Sequence, residues 1–207
     1  MIFPASLFIT GTDTGIGKSL VSAMLLAGLK GKYWKPVQSG LEEITDTEWV
    51  KEKTGLDGTH FFPETYRLKQ PLSPHASAEA DGVRIELDNF KVPQTGDGET
   101  LIIEGAGGIL VPLNEKELMI DLIKKFNTPA LIVARSGLGT INHTLLSIYQ
   151  LRSEGIDIFG VVMNGPRNSS NRNAIEHFGN AKVIAEIEEI TDINPESLIN
   201  SFRKYFG

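Results

Sequence analysis

Residues 6 to 19, SLFITGTDTGIGKS, pass from an apolar, β-branched segment through a glycine-rich turn to Gly-Lys-Ser. This order constrains the fold more than any other feature of the chain. A strand has to stop near Gly11 and a helix has to start near Lys18. The turn between them points successive backbone N–H groups, and the positive end of the helix, at one concavity suited to an anion. In that arrangement Lys18 contacts the β and γ phosphates of a nucleotide and the Ser19 hydroxyl ligates Mg²⁺. The turn is one residue longer than the pattern Gly-x4-Gly-Lys-[Ser/Thr]. Asp13, Thr14, Gly15, Ile16, Gly17, Lys18 and Ser19 are therefore read as a variant phosphate loop that binds the nucleotide.

The rest of the chain repeats the same alternation. Apolar runs at residues 6–10, 33–37, 100–105, 129–135, 157–164 and 181–187 are separated by helix-like segments at 18–30, 117–126, 141–155 and 171–179, and 195–206 reads as a closing helix. Strands buried on both faces read as continuous apolar runs, and their alternation with helices predicts a parallel sheet covered on each side. The expected class is α/β: one domain over residues 1–207, a parallel β-sheet flanked by helices on both faces. Residues 56–99, rich in Pro, Gly and charge, fit least well and read as an excursion with one short helix.

Composition removes several functions. The net charge of −6 argues against a nucleic-acid partner, which needs a basic stripe to displace phosphate counterions. No segment approaches the ~18 continuous apolar residues of a membrane span. With no cysteine there is neither a disulfide framework nor a thiolate site, and the four histidines, His60, His75, His143 and His177, show no metal-ligand spacing. The expected location is a bacterial-type cytoplasm.

Further candidates lie at strand ends. Lys35, in YWKPVQSG, sits at the end of an apolar strand and precedes a proline; if that strand lies parallel to and near the first, its carboxyl end brings Lys35 to the same edge as Lys18, although a surface lysine at a strand end is an equally ordinary reading. Glu104 ends the apolar run TLII, where a carboxylate needs a partner. Asp46, in ITDTEW, reads as a helix N-cap or as a second acid for Mg²⁺, which takes hard oxygen ligands. The run SGLGTINHTLL leaves free N–H groups at Gly139, Thr140, Ile141 and Asn142 that suit a carboxylate, the alternative being a plain helix capped by Thr140.

Together GTDTGIGKS, YWKPVQSG, LSPHASA, IIEGAGGILVPL, GLGTINHTLL and VVMNGP resemble the dethiobiotin synthetases in order and approximate spacing, from residue 5 to about 190. That family's loop carries the same extra residue. The resemblance implies a variant P-loop NTPase-like fold and an ATP-dependent ligase. One amine of 7,8-diaminononanoate takes up CO2 as a carbamate, ATP phosphorylates the carbamate, and the second amine closes the ureido ring. It also implies that Thr14, Lys18, Lys35 and Ser39 surround the carbamate and phosphate, that Ser19, Asp46 and Glu104 hold Mg²⁺, and that Asn164 reads the adenine edge. Family members are homodimers, in which the helix start at Leu138, Gly139, Thr140, Ile141 and Asn142 receives the substrate carboxylate from the neighbouring subunit.

Three positions depart from the pattern. Gly15 stands where the family often has Glu, Gly137 where some members have a basic residue, and Ala185-Glu-Ile-Glu188 where Gly-x-Ile-Pro is common in the base pocket. Two other readings share the loop. A cobyrinate-type amidoligase usually carries a glutaminase domain with a nucleophilic cysteine, and this chain lacks both the length and the cysteine. A partitioning-type ATPase switch usually has a second lysine near the start of the loop, and Thr12 to Thr14 contain none.

Overall fold

The computed structural model describes residues 1–207. Its centre is a seven-stranded parallel sheet in the order β4-β2-β6-β1-β7-β8-β9. The strands are β1 (Ser6–Gly11), β2 (Lys32–Trp34), β4 (Phe61–Phe62), β6 (Leu101–Gly108), β7 (Ala130–Arg135), β8 (Ile158–Asn164) and β9 (Val183–Ile187). Two further strands, β3 (Val37–Ser39) and β5 (Tyr66–Leu68), form a separate parallel pair. The helices are α1 (Lys18–Leu29), α2 (Asp46–Thr54), α3 (Pro74–Ala80), α4 (Met119–Phe126), α5 (Thr140–Ser153), α6 (Ser169–Gly179) and α7 (Pro195–Phe206).

Strand side chains alternate between two cores, as a period of two requires. In β1, Leu7 and Ile9 pack with α1, α2 and α7, whereas Phe8 joins the core beneath α4, α5 and α6. In β6, Ile102 faces the α1 side and Leu101 and Ile103 the other. Glu104 follows the parity of Ile102 and Lys35 that of Tyr33, so both charged groups project on the α1 side. This is the physical reason they meet Ser19.

Helix α1 lies between the sheet, α2 and α7, and every residue from Val21 to Ala27 is buried. Its sequence is accordingly apolar all round, as a core helix must be. Gly28 lets α7 approach: a Cβ there would stand 2.0 Å from Phe202 Cγ.

Three expectations are corrected. The run 33–37 is not one strand. Pro36 offers no N–H to a ladder, so β2 ends at Trp34 and the chain leaves the main sheet to form β3. Asp46 is not an N-cap. Thr45 is, in a capping box with Glu48, and Asp46 is the first helical residue. Thr140 is not the cap of α5 either: Gly139 holds that position at φ 90°, and Thr140 is its first turn. The excursion over 56–99 contains its short helix, α3, and also β4, β5 and two 3₁₀ turns.

Gly28→Ala is expected to lower stability by about 1–2 kcal/mol, because overpacking against Phe202 outweighs the gain in helix propensity. Thermal melting should show a fall of roughly 2–8 °C, and an unchanged or higher melting temperature would contradict the packing described.

Candidate active site

The loop from Asp13 to Gly17 leaves the carboxyl end of β1, the central strand, and turns into α1. Gly15 and Gly17 take φ of 70° and 99°, which a side chain would strain. Gly17 is doubly required, since a Cβ would also lie 2.3 Å from Asn164 Nδ2. Asn164, at the end of β8, donates that Nδ2 to the carbonyl of Ile16 at 2.9 Å and so fixes the loop from behind. The amides of Gly15, Ile16, Gly17, Lys18 and Ser19 bond no protein acceptor, which leaves a row of donors for an anion.

Four side chains converge beside the loop. Ser19 Oγ lies 2.7 Å from Asp46 Oδ1 and 2.9 Å from Glu104 Oε1. Lys35 Nζ lies 2.7 Å from Asp46 Oδ2 and 3.2 Å from Glu104 Oε1. Lys35 and Glu104 are only 3% and 1% exposed, so these charges depend on one another. Burial pulls the Lys35 ammonium down, but Glu104 and Asp46 outweigh it and hold it above its ordinary range. Burial pushes Asp46 up, but Lys35 and Ser19 bring it below the usual carboxylate range. Lys18 differs. Burial, reinforced by the repulsion of Lys35, lowers its pKa, and its Nζ donates to the Asp13 carbonyl at 3.1 Å.

Lys18, Ser19, Lys35, Ser39, Asp46 and Glu104 all line one cleft of about 680 Å³, together with Thr14, Gly15 and Gly17. Its opposite wall is Pro71 to Pro74, from the excursion. Ser39 Oγ is buried and has no hydrogen-bond partner in the protein, which suits a group kept for substrate. Residues 138–142 do not line this cleft. Leu138 is fully exposed, and α5 begins beside a second cavity of about 400 Å³ lined by Asp13, Thr14, Ile109, Leu110, His143 and Leu146.

Two contacts had no part in the sequence reading. Arg135, the last residue of β7, binds Asp13 at 2.5 Å, and Asp13 accepts the Thr14 amide at 2.7 Å; the amide first and the guanidinium with it hold the Asp13 carboxyl below its ordinary range. Tyr33 OH donates to Glu104 Oε2 at 3.1 Å, and burial, then Glu104, drives the phenol well above its usual range. The available signal was parity: Tyr33 stands two residues before Lys35 and shares its face.

A glycine loop joining the central strand of a parallel sheet to a buried helix, with a lysine and a serine at the helix start, defines a P-loop NTPase-like α/β protein. A family model described as an AAA domain matches residues 5–197. The ATP-dependent dethiobiotin synthetase BioD of Brucella ovis is 46% identical over 200 residues, covering 97% of this chain and 93% of that protein. The protein of the same name from Paramagnetospirillum magneticum is 47% identical over 191 residues, 92% and 91% of the two chains. The chain belongs to the dethiobiotin synthetase family. Among solved structures, the MinC:MinD complex of Aquifex aeolicus aligns with TM-score 0.53 at 15% identity, covering 96% of this chain and 86% of that one. A ParA family ATPase from Chlorobium tepidum TLS aligns at 0.52 and 13%, covering 95% and 90%. These two likenesses concern the fold alone.

The charge cluster sets a pH window. Asp46 contributes stability that is present above the ordinary carboxylate pKa of about 3.9 and lost as pH falls through its lower folded value. Lys35 contributes stability present below about 10.4 and lost as pH rises through its higher one. Lys35→Met is expected to cost about 3 kcal/mol at pH 7, because two acids lose their cation. The loss should shrink as pH is lowered toward 4 and the stranded Asp46 carboxylate takes up a proton. Urea denaturation across that range measures it, and a loss independent of pH would show that the pairing is not what the lysine supplies.

Proposed function

We infer that the chain is an ATP-dependent dethiobiotin synthetase acting on 7,8-diaminononanoate and CO2. The observation that carries the reading is identity of 46% with such an enzyme across 97% of the chain. The site chemistry supports it. An amine adds to CO2 with loss of a proton, giving a carbamate; a carbamate oxygen attacks the γ phosphorus, and the bond to ADP breaks. The second amine then attacks the carbonyl carbon, phosphate leaves with the C–O electron pair, and a proton is lost as the ureido ring closes. Carbamate and γ phosphate are both anions, so the protein's task is to hold them together against repulsion.

Lys18 and Lys35 supply that fixed positive charge from adjacent walls of one cleft. Lys35 is charged at any working pH because its acid partners hold it so. The amides of Gly15, Ile16, Gly17, Lys18 and Ser19 bind phosphate oxygens, while Thr14 and the unpartnered Ser39 hydroxyl orient the carbamate. Asp13 shapes the loop through Arg135. Asn164 presents its free carboxamide oxygen to the exocyclic amine of adenine, its nitrogen being committed to Ile16. In the base segment, Ala185 is buried in β9 and Glu188 is paired with Arg167 at 3.4 Å.

Mg²⁺ fits the residues present: the hard hydroxyl oxygen of Ser19 lies 2.7 Å from a carboxylate oxygen of Asp46 and 2.9 Å from one of Glu104. Those three residues would hold the ion, which supplies charge neutralisation on the phosphates.

A homodimer with a shared site, in a cytoplasmic setting, completes the reading. Leu138, Leu146 and Tyr149 on and before α5 are exposed, as is Leu110 on the loop after β6, and residues 138–142 do not line the chain's own cleft. The Thr140 amide is taken by the Gly137 carbonyl at 3.3 Å, so the expectation of a free donor there is corrected, and on this reading the amides of Gly139, Ile141 and Asn142 receive the carboxylate of a substrate in the neighbouring subunit. No helix is long and apolar enough to cross a membrane.

Purified protein given Mg-ATP, bicarbonate and the diamine is expected to release phosphate, with little release when the diamine is omitted. Turnover indifferent to the diamine would favour the ATPase-switch reading. In sedimentation the active species should be a dimer, and a fully active monomer would exclude the shared site.

A further inference from the structure

Glu104 is held by groups from two elements. Ser19, at the start of α1, and Lys35, just beyond β2, both address Oε1. Oε2 is addressed by the phenol of Tyr33 at 3.1 Å. The pairing of β2 with β6 explains the reach: Tyr33 lies opposite Ile102 and Trp34 opposite Ile103, so the next positions along each strand bring Lys35 and Glu104 together, with Tyr33 on the same face one pleat back.

Tyr33 is fully buried, and its ring packs edge-on to Phe61 with centroids 5.9 Å apart. A phenylalanine would fill that space equally well. The hydroxyl has Glu104 as its single hydrogen-bond partner, and a buried phenol left unpaired is costly. The oxygen on this ring therefore serves the carboxylate and nothing else in the protein.

We propose that Tyr33 is a positioning residue for the metal site: by occupying Oε2 from the core side, its hydroxyl fixes the rotamer of Glu104 and keeps Oε1 turned toward Ser19 and the cleft. The proposal rests on the reading of Glu104 as a ligand of Mg²⁺. Partners that orient a ligating carboxylate are worth about 10–100-fold in metal affinity in other metal sites. A carboxylate with one of its oxygens free can rotate about its terminal torsion, which is soft. The hydroxyl removes that freedom before the ion arrives.

The test is Mn²⁺ binding, followed by the loss of the free-ion EPR signal, in the full chain with a non-hydrolysable ATP analogue. Wild type, Tyr33→Phe and Glu104→Gln are compared. Tyr33→Phe is expected to weaken Mn²⁺ binding about 10-fold, while affinity for the nucleotide without metal stays the same. Glu104→Gln should weaken Mn²⁺ binding further. Melting temperatures with and without Mg²⁺ give a second readout. A positioning role shrinks the rise that Mg²⁺ produces, whereas a merely structural role lowers both melting temperatures equally.

If Tyr33→Phe binds Mn²⁺ as wild type does while Glu104→Gln does not, the proposal is overturned and the metal reading stands. Should Glu104→Gln also bind normally, the metal reading fails and takes the proposal with it. In case Tyr33→Phe does not fold, wild-type protein carrying fluorinated tyrosines, four in all, puts the same question. The ¹⁹F signal of the buried Tyr33 must shift on addition of Mg²⁺, and an unmoved signal overturns the proposal.

Discussion

The structure depends on one buried arrangement of charge: a lysine ammonium enclosed by two carboxylates, with a serine hydroxyl bridging the acids. Neither Lys35 nor Glu104 is tolerable alone at that depth, because removing the lysine strands the buried carboxylate in a medium of low polarity. Each comes from a different element: Ser19 from α1, Lys35 from beyond β2, Asp46 from α2 and Glu104 from β6. The cluster therefore links the phosphate loop, two neighbouring strands and the first turn of α2. On the proposed reading it is also where the charge of an anionic substrate and an anionic nucleotide is managed, so that one interaction serves cohesion and function.

Much of this was legible in the sequence for reasons that can be named. Strands buried on both faces had to be continuous apolar runs, and β1, β7 and β8 stood out as such. Glu104 stood out because a carboxylate at the end of TLII had no local reason to be there. What could not be read was non-local or hidden in short segments. The partner of Tyr33 is 71 residues away and depends on the register of β2 against β6, which no local pattern encodes. The break at Pro36 was visible in principle, since proline cannot continue a ladder, but the apolar residues on either side read as one strand. The capping box over Thr45 and Glu48 was likewise present in ITDTEW, and Asp46 drew attention from it. In residues 83–100 there is almost no periodicity to read, because that stretch is mostly irregular and held by scattered contacts.

The fold by itself leaves function open. A cell division protein complex and a ParA family ATPase share the fold at 15% and 13% identity, and one fold can serve different functions. In this chain the cleft beside the loop carries a second lysine. Lys35 follows β2, which β6 separates from the loop's own strand β1, and it lines the same cleft as Ser39 and the Pro71 to Pro74 wall. A lysine so placed can meet a second reactant as well as the nucleotide.

The burial of α1 has a mechanical corollary. Enclosed on every side by sheet, α2 and α7, this helix has no free face on which to rock, and the nucleotide loop at its head inherits that rigidity. The other side of the cleft belongs to a two-stranded pair and a short proline-bounded turn outside the main sheet. The cleft is thus a vice with one jaw packed into the core and a lighter one outside the main sheet.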